Sequence, residues 1–213
     1  MKIFTQAVGV LLVATALLLA TAMPPATAAT TYTPTGGPAA SFAATGLSIT
    51  LVEPEQTITC TKMSLGGSVL SPGTSRAYGA DGVSLGSFGT TGCNHHILGP
   101  TAVTALTTPT FAVVGDSTGG TWPARMKNVV WAVHWPNCDL YISGVINGRF
   151  DPAAHSFLPN TGAVGLTIAS TPAPPTGSFC VTFDFQAGDT VALSGSFLST
   201  PPAGSTNLSI ANP

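Results

Sequence analysis

Apolar and polar residues alternate along most of the chain. Leu47, Ile49 and Leu51 are separated by Ser48 and Thr50, Glu53-Pro54-Glu55 interrupts the run, and QTITCTKM (56–63) resumes it. Val83, Leu85 and Ser87 share one face of the stretch 82–91, residues 110–114 are rich in β-formers, and 129–135 and 139–146 alternate again. A period of two puts successive side chains on opposite faces of a strand. Asp151-Pro152-Ala153-Ala154-His155 has the composition of a hairpin turn between Arg149-Phe150 and 156–158. Residues 178–185 and 190–198 read as two further strands flanking a turn at 186–189. Gly and Pro punctuate the pattern at roughly the spacing of short-strand folds, about 8–12 residues. No window after the first 28 residues has a helical period. The pattern predicts an all-β domain, a single antiparallel β-sandwich or barrel.

The N-terminus follows a different rule. Lys2 precedes the continuous apolar run VGVLLVATALLLATA (8–22), and Pro24-Pro25 then leads to Ala26-Thr27-Ala28. A basic start, a short apolar core and a small-x-small site make a secretory signal peptide. The run is shorter than the roughly 20 residues a membrane span needs. Cleavage is expected after Ala28, with no Arg-Arg pair to mark a twin-arginine route and no nearby cysteine to carry a lipid. Residues 1–28 are thus the expected signal peptide and 29–213 the secreted all-β domain. No second run of spanning length follows, so no membrane insertion is expected after cleavage.

Charge narrows the partners. Without Lys2, five Lys and Arg face eight Asp and Glu, a formal −3, and only 7% of the chain is charged. Nucleic acid binding needs clustered cations that replace counterions, and none are clustered here. The surface must be built from Thr, Ser, Gly, Ala and Pro, which suits an envelope or other extracellular setting.

The four cysteines, Cys60, Cys93, Cys138 and Cys180, are separated by 33, 45 and 42 residues. An even count in an oxidising compartment predicts two disulfides, and spacings this wide do not make a zinc site. CTKMSLGG from Cys60 and CDLYISG from Cys138 both start a strand with cysteine and end it with glycine, and each precedes a small-residue approach to a second cysteine, Gly92-Cys93 and Ser178-Phe179-Cys180. If each half closes on itself the bridges are Cys60–Cys93 and Cys138–Cys180. Two other pairings remain open.

The order of these features resembles a family of small secreted Thr/Ser/Gly-rich all-β proteins of high-GC Gram-positive bacteria. The residues that carry the likeness are Thr59-Cys60-Thr61, Gly92-Cys93, Thr121-Trp122-Pro123, Cys138 at a strand start, and Gly188-Asp189-Thr190 running to Ser194. The family has no assigned activity, so the resemblance implies a secreted all-β domain and carries over no catalytic residue. Trp131 and Trp135 depart from the small residues usual in that strand.

Three places could hold chemistry. Gly115-Asp116-Ser117-Thr118-Gly119 matches G-x-S-x-G, but a nucleophile elbow needs a helix after the serine, and Gly119-Gly120-Thr121-Trp122-Pro123 would break one. A strand-to-strand loop is expected. A catalytic Ser117 would need His95, His96, His134 or His155 as its base. His95 and His96 are adjacent, so on a strand they point to opposite faces. They are expected in an exposed turn, with no metal and no cofactor. Finally, WAVHWPNC (131–138) holds two of the three tryptophans. On a strand Trp131 and Trp135 share a face about 13 Å apart. Core packing is the favoured reading, with His134 capping a backbone group. The alternative is an exposed ligand platform extended by Tyr141, Trp122 and Asn137.

The expected function is that of a non-enzymatic secreted protein, envelope-associated or structural. A binding module for cell-envelope polysaccharide or a small apolar ligand is the alternative, since the composition also resembles the neocarzinostatin-type carriers. A serine hydrolase using Ser117 is third.

Overall fold

The computed structural model describes residues 29–212, and the expected signal peptide lies outside them. The strands are β1 (Thr31–Gly37), β2 (Ala39–Leu51), β3 (Gln56–Val69), β4 (Arg76–Ala77), β5 (Val83–His95), β6 (Gly99–Pro100), β7 (Ala102–Ala105), β8 (Thr110–Val113), β9 (Trp122–Trp135), β10 (Cys138–Asp151), β11 (Ser156–Pro159), β12 (Ala163–Ile168), β13 (Thr190–Ser194), β14 (Phe197–Ser199) and β15 (Thr206–Ala211). One short helix, α1 (Ser178–Thr182), lies between β12 and β13. The all-β reading holds.

Alternation explains the long strands. In β2, Ala40, Phe42 and Ala44 are buried, and after a left-handed residue at Gly46 (φ 64°) Leu47, Ile49 and Leu51 take over the inward face. In β9 the inward residues are Trp122, Ala124 and Met126, then Val129, Trp131, Val133 and Trp135. The change of parity falls at Asn128 (φ 57°), where β9 carries an extra residue opposite β10. A bulge of this kind lets one long strand keep an apolar face inward while it bends.

Strands β2, β3 and β5 form one wall, and the β9–β10 hairpin, turned by Pro136-Asn137, forms the other. Short strands join the walls. On one side β10 pairs with β12, β12 with β13, and β13 with β2. On the other, β8 links Val83-Ser84 of β5 to residues 124–127 of β9. The circuit β2-β3-β5-β8-β9-β10-β12-β13 returns to β2, a closed antiparallel barrel of eight strands. Further along, β11 and β14 make a second bridge from β10 to β2. Closure pairs most of the strand edges that would otherwise invite strand-to-strand aggregation.

The interior is filled by side chains. Phe111 contacts Phe42, Phe150 and Phe157 with ring centroids 5.6–5.9 Å apart, and Phe157 meets Phe197 at 6.4 Å. Each fully buried ring of this kind stabilises the fold by about 1.5–3 kcal/mol relative to exposure. Leu208 and Ile210 of the β15-β1-β4 sheet join the same core.

Two disulfides, Cys60–Cys93 and Cys138–Cys180, follow the sequential pairing. The first links register partners on β3 and β5, and the second ties the start of β10 to α1. Cys60 lies within β3 rather than at its start.

Three local expectations are corrected. Residues 178–185 are not a strand: Cys180 is held inward by its disulfide, Thr182 Oγ1 donates to Ser178 O (2.9 Å), and Phe179 and Val181 are left exposed on a helical turn. Ser87 does not continue the face of Val83 and Leu85, because β5 carries a bulge opposite Gly66–Ser68. The 190–198 strand is two strands, β13 and β14.

The β3–β5 bulge depends on Gly67, where an added Cβ would lie 1.7 Å from Ser84 O. Gly67→Ala is expected to cost at least about 1–3 kcal/mol, the range for overpacking, read as a lower urea midpoint. An unchanged midpoint would mean that the two strands can part without cost.

Candidate functional site

The tryptophans do not make an exposed platform. Trp131 and Trp135 are completely buried, and Trp122 is 5% exposed. All three face the barrel interior, whereas Tyr141 alternates out of step with the buried Leu140 and Ile142 and points to the other face. Asn137 sits in the hairpin turn with φ 60°. Trp135 stacks on Phe185 (5.8 Å) and meets His95 edge-on (5.7 Å), and its Nε1–H donates to Thr101 Oγ1 at 2.7 Å. Trp131 leans on Phe88 at 5.8 Å, and its buried Nε1–H has no partner among the described residues.

The histidines are placed individually. His95 is fully buried, not in an exposed turn as expected. It ends β5, and its Nδ1 accepts from the backbone N–H of Ile97 (3.2 Å) and Leu98 (3.1 Å), which closes the turn into β6. His96 stacks on it at 4.9 Å instead of pointing to the opposite face, because the strand ends between them. His134, expected to cap a backbone group, pairs through Nδ1 with Asp139 Oδ1 across the hairpin. His155 occupies a left-handed turn position (φ 49°). Among the described residues no group of three or more His, Cys, Asp or Glu could hold a metal ion.

His95 is expected to make the fold acid-sensitive. Burial, and secondarily the charge of His96, hold its pKa below the ordinary 6.5. The neutral ring accepts two N–H groups, and a proton on Nδ1 would turn that acceptor into a donor. The unfolded chain therefore binds this proton more readily than the folded one. The contribution of His95 to stability is complete above about pH 6.5 and falls as the pH drops below it. The urea midpoint is expected to decline from pH 7.5 to pH 5.5. His95→Asn, whose Oδ1 can accept the same two N–H groups, should show a flatter profile. Equal slopes would assign the acid sensitivity elsewhere.

Ser117 lies in the β8–β9 loop, where Thr118 pairs with Thr121 and β9 begins at Trp122, so no helix follows it. Among the described residues no histidine nitrogen is hydrogen-bonded to its hydroxyl. Its neighbour Asp116 accepts from Tyr78 Oη at 2.5 Å. Much of the scarce charge is used nearby to fasten the 76–82 segment over β8 and β9. Lys127 Nζ donates to Gly79 O (2.8 Å) and pairs with Asp81 (2.5 Å), Thr110 Oγ1 donates to Asp81 (2.9 Å), and Tyr32 Oη donates to Ala80 O (2.6 Å). Arg76 donates to the carbonyls of Leu70 and Asp81.

Two cavities of similar size lie on opposite sides of the barrel wall. Between the two bridges on the β10–β2 side lies a cavity of about 350 Å³ lined by Thr50, Arg149, Leu158, Pro159, Leu193 and Ser194, among others. On the opposite side β7 pairs only with β9 and leaves a seam against β5. A second cavity of about 350 Å³ occupies that seam, bordered by Gly86, Phe88, Gly89, Thr90, Thr104 and Thr107 among others. No protein-family model, curated protein or solved structure matches this chain. Its own geometry is therefore the ground for a functional reading.

Phe88 was not among the residues singled out from the sequence. A signal was present: GSFG (86–89) sets an aromatic between glycines inside a strand, the pattern of a bulge or a close approach.

Proposed function

We propose that the protein is exported and acts outside the cell without catalysis, as an envelope-associated or structural β-barrel. The observation that carries this reading is the use of its polar chemistry. His95 closes a turn, His134 pairs with Asp139, and Lys127, Asp81 and Arg76 fasten a loop. Two disulfides staple the remainder, as befits an oxidising compartment. No helix among the described residues is long and apolar enough to cross a membrane. The likeness to small secreted proteins of high-GC Gram-positive bacteria fits the same role.

The test is labelling of the purified protein with a fluorophosphonate probe, together with fractionation of the source cells. The expected outcome is no labelling and recovery in the envelope or medium. Labelling lost in Ser117→Ala would establish an activated serine and replace this reading with the hydrolase.

A second reading, polysaccharide binding, is favoured by one observation: the open seam carries an aromatic ring, hydroxyls and no charged side chain. Co-sedimentation of the protein with cell-wall material tests it.

A further inference from the structure

We propose that the seam between β5 and β7 is a binding site for a neutral saccharide, with Phe88 as the ring on which a pyranose stacks. This rests on the second reading above and gives it a place and a ligand class.

The seam follows from the pairing. On this side β5 is paired to β8 only at Val83-Ser84 and to β6 only at Asn94-His95. Backbone bonds close the two ends of the gap, Leu85 N–H to Pro109 O (2.8 Å) and Thr101 N–H to Cys93 O (2.9 Å). Between them the Thr90 hydroxyl reaches Val103 O at 3.0 Å. Among the described residues no backbone hydrogen bond joins 86–89 to 103–105. Edge groups of this kind must find partners, from water or from a ligand.

Phe88 marks the floor. It lies opposite Leu65, which is buried, so its side chain faces inward. It is nevertheless only partly buried, because the wall is missing beside it. Trp131 backs it from the core and fixes the tilt of the ring. The bulge of β5 supplies Gly86, whose missing side chain leaves open space. Among the described residues none bordering the cavity is charged.

The chemistry selects the ligand. A pyranose has an apolar C–H face and a rim of hydroxyls that both donate and accept. An aromatic ring bordered by amide and threonine hydroxyl groups matches both parts. An ionic ligand would lose hydration with no counter-charge in the seam to replace it. The class is therefore a neutral hexopyranoside or its N-acetyl derivative.

The test is amide NMR of the 29–213 protein titrated with cellotriose, triacetylchitotriose and, as an acidic control, glucuronic acid. Saturable shifts are expected at residues 85–90 and 102–107 with at least one neutral sugar and not with glucuronate. Gly86→Leu is the blocking variant. Gly86 borders the cavity, a Cβ there meets nothing within 4 Å and the backbone is not left-handed, so a larger side chain is accommodated at the seam without strain. It should keep the wild-type melting temperature and bind at least about tenfold more weakly, a difference of about 1.4 kcal/mol. The proposal fails if neither neutral sugar gives saturable seam shifts, if glucuronate gives the same shifts, or if Gly86→Leu binds like wild type. Co-sedimentation with insoluble cell-wall polysaccharide separates the levels. Equal pelleting of wild type and Gly86→Leu would reject the seam and keep the binding reading. A wild type that stays in the supernatant would reject both.

Discussion

Trp135→Ala is expected to destabilise the barrel by about 3–5 kcal/mol, and Trp131→Ala by an amount toward the lower end of that range. Both side chains are completely buried, so each truncation leaves a cavity with the volume of an indole. The difference lies in their partners. Trp135 is stacked on Phe185, touched edge-on by His95, and hydrogen-bonded to Thr101 Oγ1. Trp131 has Phe88 on one side and an Nε1–H with no partner among the described residues. Phenylalanine substitutions isolate that difference. Trp131→Phe removes a buried, unpaired donor and so returns part of what the smaller ring loses. Trp135→Phe also breaks a buried hydrogen bond, about 1 kcal/mol net, and is expected to be the more damaging. The comparison is made by urea midpoints at constant slope. Trp135→Ala with wild-type stability would put the indole outside the core and revive the exposed platform.

Reduction of the two disulfides is expected to bring the fold to the edge of stability. The bridges close loops of 33 and 42 residues. The chain-entropy model gives about 3–4 kcal/mol for each, against a typical total of about 5–15 kcal/mol. The two should differ in kind. Cys60 and Cys93 are already register partners in the β3–β5 ladder, so losing that bridge mainly lowers global stability. Cys138–Cys180 holds a helix of five residues whose one buried residue is Cys180 itself. Cys138→Ala/Cys180→Ala should therefore free the segment around α1 while the barrel persists. Faster amide exchange at 178–183 than at β3 or β5 would show this. A melting temperature unchanged after confirmed reduction would remove the bridges from the account of stability.

The sequence reading succeeded where local chemistry and tertiary placement agree. Leu47, Ile49 and Leu51 alternate and are buried, and Glu53-Pro54-Glu55 turns the chain. Asp151 Oδ1 accepts from the N–H of Ala153 and Ala154, which is why that segment was recognisable as a turn. It failed where a distant contact decides. Phe179 and Val181 alternate like strand residues, but the bond from Cys180 to Cys138 pulls the segment into a helical turn. His95 looked like a surface residue because the apolar rings that bury it, Trp135 and Phe183, lie far away in the chain. Strands β1, β12 and β15 passed unread, being short and interrupted by Pro34 and Gly165 or placed at a sheet edge. The seam was illegible for a related reason: an absent pairing leaves no mark on either strand alone.

The proposed export and oxidation of the barrel can be read together from the intact mass of the native protein. Protein recovered from the medium or envelope of the source cells would be treated with a thiol alkylator without reductant, then weighed and sequenced from its N-terminus. The expected chain begins at Ala29, carries no alkyl group and is four hydrogens lighter than its thiol form. A full-length chain retained inside the cell with four alkylated cysteines would contradict it.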